Sequence, residues 1–273
     1  MICNKIIPGE HLMKIGAYQF AVSNNITKNL EAIKKATVLA VQKDIELLIF
    51  PECALTGYPP RDIPNSSMVN FDELAHAYKE LQKLVDDNDI SIIVGTIYQE
   101  NENFYNSAIG FIPHNKNLIY HKRALWGWDK DNFIVGNEKG ILEIGDWKIG
   151  IRICFEVRFP EYFRELYKEH TDLNIILFYD VADNDDIDRY DLIKSHIRTR
   201  AVENVTYTFT VNSIHPYQTA PTLLYDRSGR LLCENERNTE SLLMYDLKKE
   251  SLNFGEAGRK EISDCLTSST ITQ

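Results

Sequence analysis

An α/β fold is what this chain predicts, and three features predict it. Short apolar runs of strand length alternate with longer segments whose apolar residues recur every three or four positions. Hairpin signals are mixed among them. No internal repeat, low-complexity tract or linker interrupts the pattern. The 273 residues therefore read as a single domain, 1–273, with a short N-terminal arm at 1–12 and a polar, poorly patterned C-terminal tail at 249–273. That tail is either a loose end or an arm that reaches a second subunit.

The elements follow in order. A strand pattern covers Met13 to Phe20. Asn25 is placed to cap a helix from Ile26 to about Lys43, in which Leu30, Ile33, Ala36 and Ala40 share one face. The run LLIF at 47–50 is the signature of a strand buried on both faces. A helix from Phe71 to Asp87 precedes a buried strand from Ile90 to Ile97. Tyr105 to Ile112, the turn PHNKN and Leu118 to His121 form a hairpin. Trp147 to Cys154 is a strand that ends on a cysteine, and Phe159 to His170 a helix. Asn174 to Tyr179 is a strand and Ile187 to Asn204 a long helix. Four strands complete the set: Thr206 to Asn212, Thr222 to Asp226, Leu231 to Glu234 and Ser241 to Leu247.

Composition removes several functional classes. The formal net charge is −10, without the basic surplus that nucleic acid or an anionic membrane surface requires. No apolar run is long enough to span a membrane, and the first twelve residues lack the basic and apolar regions of a signal peptide. Cys3, Cys53, Cys154, Cys233 and Cys265 are odd in number and show no CxxC spacing. This argues against a disulfide framework or a zinc knuckle and for a reducing cytoplasm.

Three local segments carry chemistry. Within FPECALTGYPP, residues 50–60, Glu52 stands at the end of a buried strand, the place where α/β folds bind ligands; capping the following turn is the plainer alternative. Within IYHKRAL, residues 119–125, Lys122 follows a hairpin strand, where a solvated surface charge is the ordinary occupant. Within IGIRICFEVRFPE, residues 149–161, Cys154 lies between an apolar strand and a helix. That junction exposes a nucleophile and aims backbone N–H groups at one point; a buried structural cysteine is the alternative.

Taken together and in this order, Glu52, Lys122 and Cys154 with their flanking motifs resemble the carbon–nitrogen hydrolase family, also called the nitrilase superfamily. YNSAIGF at 105–111 and RTRAVEN at 198–204 match as well, and the likeness spans roughly 13–247. The resemblance implies a four-layer αββα sandwich, usually as a homodimer. It also implies cofactor- and metal-free hydrolysis of small amides or N-carbamoyl compounds. The GYPP stretch is similar to the glutaminase part of some NAD synthetases, which leaves a stand-alone glutaminase or ω-amidase activity as an alternative. A catalytically silent binding module on the same fold is another.

The roles the resemblance implies are these. Cys154 attacks the carbonyl and forms a thioester, Glu52 is the base, and Lys122 with the backbone N–H of Phe155 stabilises the oxyanion. A second carboxylate that positions lysine and substrate falls on Asp129, with Asp131 as rival. Tyr58 and Tyr179 are candidates to line the pocket. Phe155, Glu156 and Ile193 depart from the residues many relatives carry, a difference that bears more on substrate than on chemistry. A papain-like Cys–His pair would require His121, the histidine nearest these motifs. Six aspartates crowd 180–191, and Asp180 and Asp183 lie nearest the strand end. Carboxylates there would favour a substrate with a distal positive charge. The opposite preference would call for an arginine such as Arg158.

Overall fold

The computed structural model describes residues 12–268. The arm expected at 1–12 and the residue Cys3 therefore lie almost wholly outside the described residues. In chain order the elements are β1 (Met13–Gln19), α1 (Ile26–Val41), β2 (Leu47–Ile49), α2 (Phe71–Asn88), β3 (Ser91–Glu100), β4 (Asn103–Phe111), β5 (Leu118–His121), α3 (Trp128–Asn132), β6 (Ile141–Ile144) and β7 (Trp147–Ile153). They continue with α4 (Pro160–Lys168), β8 (Leu173–Phe178), β9 (Val181–Ala182), α5 (Ile187–Asn204), β10 (Tyr207–Asn212), β11 (Tyr217–Gln218), β12 (Leu223–Tyr225), β13 (Leu231–Glu234), β14 (Ser241–Leu247) and α6 (Phe254–Ser268).

Two six-stranded sheets stack face to face, in the orders β14-β1-β2-β3-β4-β5 and β13-β12-β10-β8-β7-β6. Their centres are parallel: β1, β2 and β3 in one, and β7, β8 and β10 in the other. The alternation of a buried strand shows how the layers arise. Leu47 and Ile49 join the core between the sheets, with Ile151, Ile153 and Ile175 opposite. Leu48 and Phe50 point the other way, onto Leu30 and Ile33 of α1 and Leu81 of α2. On the outer face of the second sheet, Ile176 and Phe178 meet Phe163 and Leu166 of α4 and Ile193 and Ile197 of α5. The result is an αββα sandwich.

The C-terminal segment departs from the polar tail read in the sequence. Residues 254–268 form helix α6, held by polar groups: Arg259 Nε donates to Val202 O at 3.1 Å, Tyr167 Oη to Asp264 at 2.5 Å, and Ser228 Oγ to Glu256 at 2.8 Å. Its apolar residues Phe254, Ile262 and Leu266 are 98%, 61% and 72% exposed. A pattern search looks for an apolar face turned inward, and this helix turns a polar one. Also absent from the sequence reading were α3, β6 and the β9–β11 ribbon.

Candidate active site

The parallel strands of both sheets end on the same side of the sandwich, where strand-end residues converge. Glu52 follows β2, Cys154 follows β7, Tyr179 and Asp180 follow β8, and Lys122 follows β5. A backbone bond from Glu52 N to Phe178 O at 3.2 Å ties the two sheets together at this point.

Glu52 and Lys122 are buried, and a hydrogen-bond network fixes both. Lys122 Nζ lies 2.8 Å from Glu52 Oε1 and 2.8 Å from Asp129 Oδ2. Glu52 Oε1 also accepts from Asn106 Nδ2 at 2.7 Å, and Oε2 from the Tyr179 amide at 2.8 Å. Tyr58 Oη donates to the other oxygen of Asp129 at 2.8 Å. The Tyr58 ring stacks on Tyr179 with centroids 5.0 Å apart. Asp129, on the short helix α3, therefore partners the lysine, while Asp131 faces solvent. Gly95 of β3 permits this arrangement: a Cβ there would stand 2.2 Å from Pro51 O and 2.6 Å from Glu52 Cα.

Cys154 takes φ of +45°, a left-handed conformation that costs a non-glycine residue of order 1–3 kcal/mol. It begins a 3-10 turn, Cys154–Arg158, whose first N–H groups have no intrahelical partner. Glu156, fully buried, holds the turn in place. Its Oε2 accepts from Ile153 N at 2.7 Å, and its Oε1 from Tyr120 Oη at 2.7 Å and Arg123 N at 2.8 Å. One carboxylate thus joins the cysteine turn to the residues flanking Lys122. Glu156 does not line the pocket, so its expected bearing on substrate is replaced by a bearing on geometry. Ile193, on the buried face of α5, likewise sits in the core and not in the pocket.

The electrostatics follow from burial. Desolvation raises the pKa of Glu52, only partly opposed by Lys122. Burial disfavours the Lys122 ammonium, but Asp129 and Glu52 more than offset it and hold its pKa well above the ordinary lysine value. Burial, followed by the charge of Glu52, pushes the Cys154 thiol up. At neutral pH the lysine is a fixed cation and the cysteine a neutral thiol.

A cleft of about 190 Å³ opens over these groups. Cys154, Lys122, Asp129, Phe155, Tyr58 and Tyr179 line it, together with Trp126, Trp128, Arg61, Asp180 and Arg189. Every site residue expected from the sequence is present except Glu52, which lies immediately behind Lys122. Asn106 was unassigned, although it falls in the YNSAIGF stretch; a polar residue inside an apolar strand was its signal. Arg61 and Arg189 were missed. Cys53 is buried, its Sγ 3.8 Å from Asn106 Oδ1. His121 bonds Ser107 Oγ at 2.6 Å through Nδ1 and stacks on Tyr105, away from the cleft. That removes the Cys–His reading. Arg158 is not part of the lining.

The aspartate-rich segment corrects a further expectation. Asp180 is bound by Arg189 through Nε at 2.8 Å and Nη2 at 2.9 Å. Asp183 pairs with Arg61 at 2.7 Å and Asp185 with Arg237 at 2.6 Å, while Asp186 caps α5. The charges that were to attract a cation are already paired.

The carbon–nitrogen hydrolase family model matches residues 14–254, and the chain belongs to that family. It is accordingly a hydrolase of carbon–nitrogen bonds other than peptide bonds. An (R)-stereoselective amidase of Pseudomonas sp. is 26% identical over 210 residues, covering 74% of this chain and 71% of the relative. A 2-oxoglutaramate amidase of Bacillus subtilis is 28% identical over 240 residues, covering 82% and 86%. Among solved structures, an amidase from Nesterenkonia sp. superposes with a TM-score of 0.77 at 24% identity, covering 89% of this chain and 92% of that one. A variant of that amidase shows covalent addition of the acetamide moiety of fluoroacetamide at its active site cysteine; it aligns with a TM-score of 0.79 at 22% identity, covering 94% and 95%. Among the described residues, no helix is long and apolar enough to cross a membrane.

Proposed function

We propose that this protein hydrolyses small amides or N-carbamoyl amines through a thioester on Cys154. The observation that carries the reading is a buried ammonium, Lys122, held 2.8 Å from each of two carboxylates in the cleft that Cys154 lines. In the first half-reaction Glu52 takes the thiol proton as Sγ attacks the carbonyl carbon. The oxyanion forms against Lys122 Nζ and the Phe155 N–H, and Glu52 returns the proton to the departing nitrogen. In the second half-reaction Glu52 deprotonates water, which attacks the thioester; the acid leaves and the thiol is restored. The raised pKa of Glu52 suits a group that accepts and returns a proton near neutral pH. The raised pKa of Lys122 makes it a source of charge throughout rather than a proton donor. Asp129 and Tyr58 position the lysine.

The test is ammonia release from a panel of small amides and N-carbamoyl amines, with Cys154→Ala as the blank. A slow substrate should leave an acyl mass on the Cys154 peptide; an acyl mass on Cys53 would overturn the assignment. We also propose one catalytic domain working as a homodimer, as the family resemblance implies. Light scattering on the purified protein measures the latter.

A further inference from the structure

The mouth of the cleft is lined by Arg61 and Arg189, and no step of the proposed mechanism uses either. Arg189 belongs to the first turn of α5, where its backbone N–H is capped by Asp186 Oδ1 at 2.9 Å. Its guanidinium is oriented from behind by Asp180, which is only 8% exposed while Arg189 is 45% exposed. Asp180 is itself locked. Its Oδ1 accepts from Thr219 Oγ1 at 2.5 Å, its backbone N–H donates to Asn212 Oδ1 at 2.9 Å, and its carbonyl accepts from Asn212 Nδ2 at 2.8 Å. Arg61 enters from the segment after Tyr58 and is steadied through one nitrogen by the exposed Asp183.

The consequence is an imbalance between donors and acceptors. A guanidinium carries five N–H groups. Asp180 engages Arg189 through Nε and Nη2, and Asp183 engages Arg61 through Nη1; among the described residues Arg189 Nη1 and Arg61 Nε and Nη2 have no protein acceptor. Behind them both oxygens of Asp180 and Oδ1 of Asp183 are occupied, and Asp183 Oδ2 faces solvent. An ammonium at this mouth meets acceptors that already hold arginines. A carboxylate meets oriented, unused N–H donors in the fork geometry that suits it.

We infer that Arg189 and Arg61 form a subsite for a carboxylate carried by the substrate at the end away from the scissile amide. The favoured substrates are then monoamides of short dicarboxylic acids. This rests on the amide-hydrolase reading above and reverses the charge preference that the aspartates alone suggest.

Succinamate, butyramide and 4-aminobutyramide share a chain length and differ in the distal group. The wild-type protein should show kcat/KM for succinamate about 10- to 100-fold above that for butyramide, the range one or two charge-assisted bonds supply. The cationic amide should be the poorest of the three. The advantage should lie in KM, shrink with added salt, and fall at least fivefold in Arg61→Gln and in Arg189→Gln. Arg158→Gln, outside the cleft, should leave the succinamate-to-butyramide ratio unchanged. Because Arg189→Gln strands a buried aspartate, Arg61→Gln, whose partner is exposed, is the variant that must fold. Calorimetric titration of Cys154→Ala with the same amides reads the subsite without turnover, so loss of hydrolysis and loss of carboxylate preference are separate results. Equal affinity for succinamate and butyramide, tighter binding of 4-aminobutyramide, or a ratio that collapses only in Arg158→Gln each overturns the subsite.

Discussion

Replacing Lys122 by methionine tests the role of the buried ammonium, because the side chain keeps most of its bulk and loses its charge and hydrogen-bond donors. In the native site the ammonium stands 2.8 Å from both Glu52 and Asp129, and all three side chains are at least 95% buried. Breaking a buried ion pair costs about 3–5 kcal/mol, a large share of the roughly 5–15 kcal/mol by which a domain is stable. The attraction of Lys122 already restrains a Glu52 pKa that burial raises. Without it, Glu52 retains a proton that a glutamate of the unfolded chain gives up near pH 4.3. The folded state then binds more protons than the unfolded state. Stability of the variant is therefore greatest at low pH and declines as pH rises through the raised folded pKa. Turnover falls as well: loss of one oxyanion donor costs about 2.7–4 kcal/mol, or about 10²- to 10³-fold in kcat. Urea titrations at pH 5 and pH 8 measure the first effect, and ammonia release measures the second. Adding Asp129→Asn should recover part of the stability at pH 8 and none of the rate. A folded Lys122→Met protein with near-normal turnover, or with the same stability at both pH values, refutes this reasoning.

Other outcomes follow from the same geometry. The acid limb of kcat/KM should lie above the ordinary carboxylate range, because the proposed base, Glu52, must be deprotonated to act and burial raises its pKa; a limb near pH 4 would assign the base elsewhere. Glu156→Gln sets an amide N–H₂ against one of three donors, Ile153 N, Tyr120 Oη or Arg123 N. It should cost about 1.5–3 kcal/mol of stability and lower kcat at least tenfold with little change in KM, whereas a destabilised protein with unaltered kcat would make the residue purely structural. Gly95→Ala forces the Glu52 backbone away from β3, and displacement near 1 Å at a catalytic group costs about 10²-fold; wild-type kcat in that variant would show that the loop yields without moving Glu52.

Regular elements were legible wherever burial followed the local period. β2 was readable because both faces of its short strand are covered, and α1 because its capping asparagine and apolar stripe agree. α6 escaped because its buried residues are Glu256 and Ser263 while its large apolar side chains face outward. α3, five residues long, has no room for a period, yet it delivers Asp129. The choice between Asp129 and Asp131 was open for the same reason: residues two apart on a single turn point in different directions, and only the neighbouring chain determines which faces Lys122.

By itself the sequence determined the α/β class and which strands end in Glu52, Lys122 and Cys154, because strand period and motif order are properties of consecutive residues. It did not determine which charges neutralise which. Asp183 finds Arg61 across 122 positions of chain, and Glu156 clasps the amide of Arg123 across 33. Asp180 meets Arg189 only because β8 and the first turn of α5 fold back on one another. A hydrogen bond forms within about 3 Å and a charge is offset within a few more. Such pairings exist only once packing has brought distant segments together. The aspartates were therefore visible in the sequence as charges, and only the tertiary structure shows them as the anchors of two arginines.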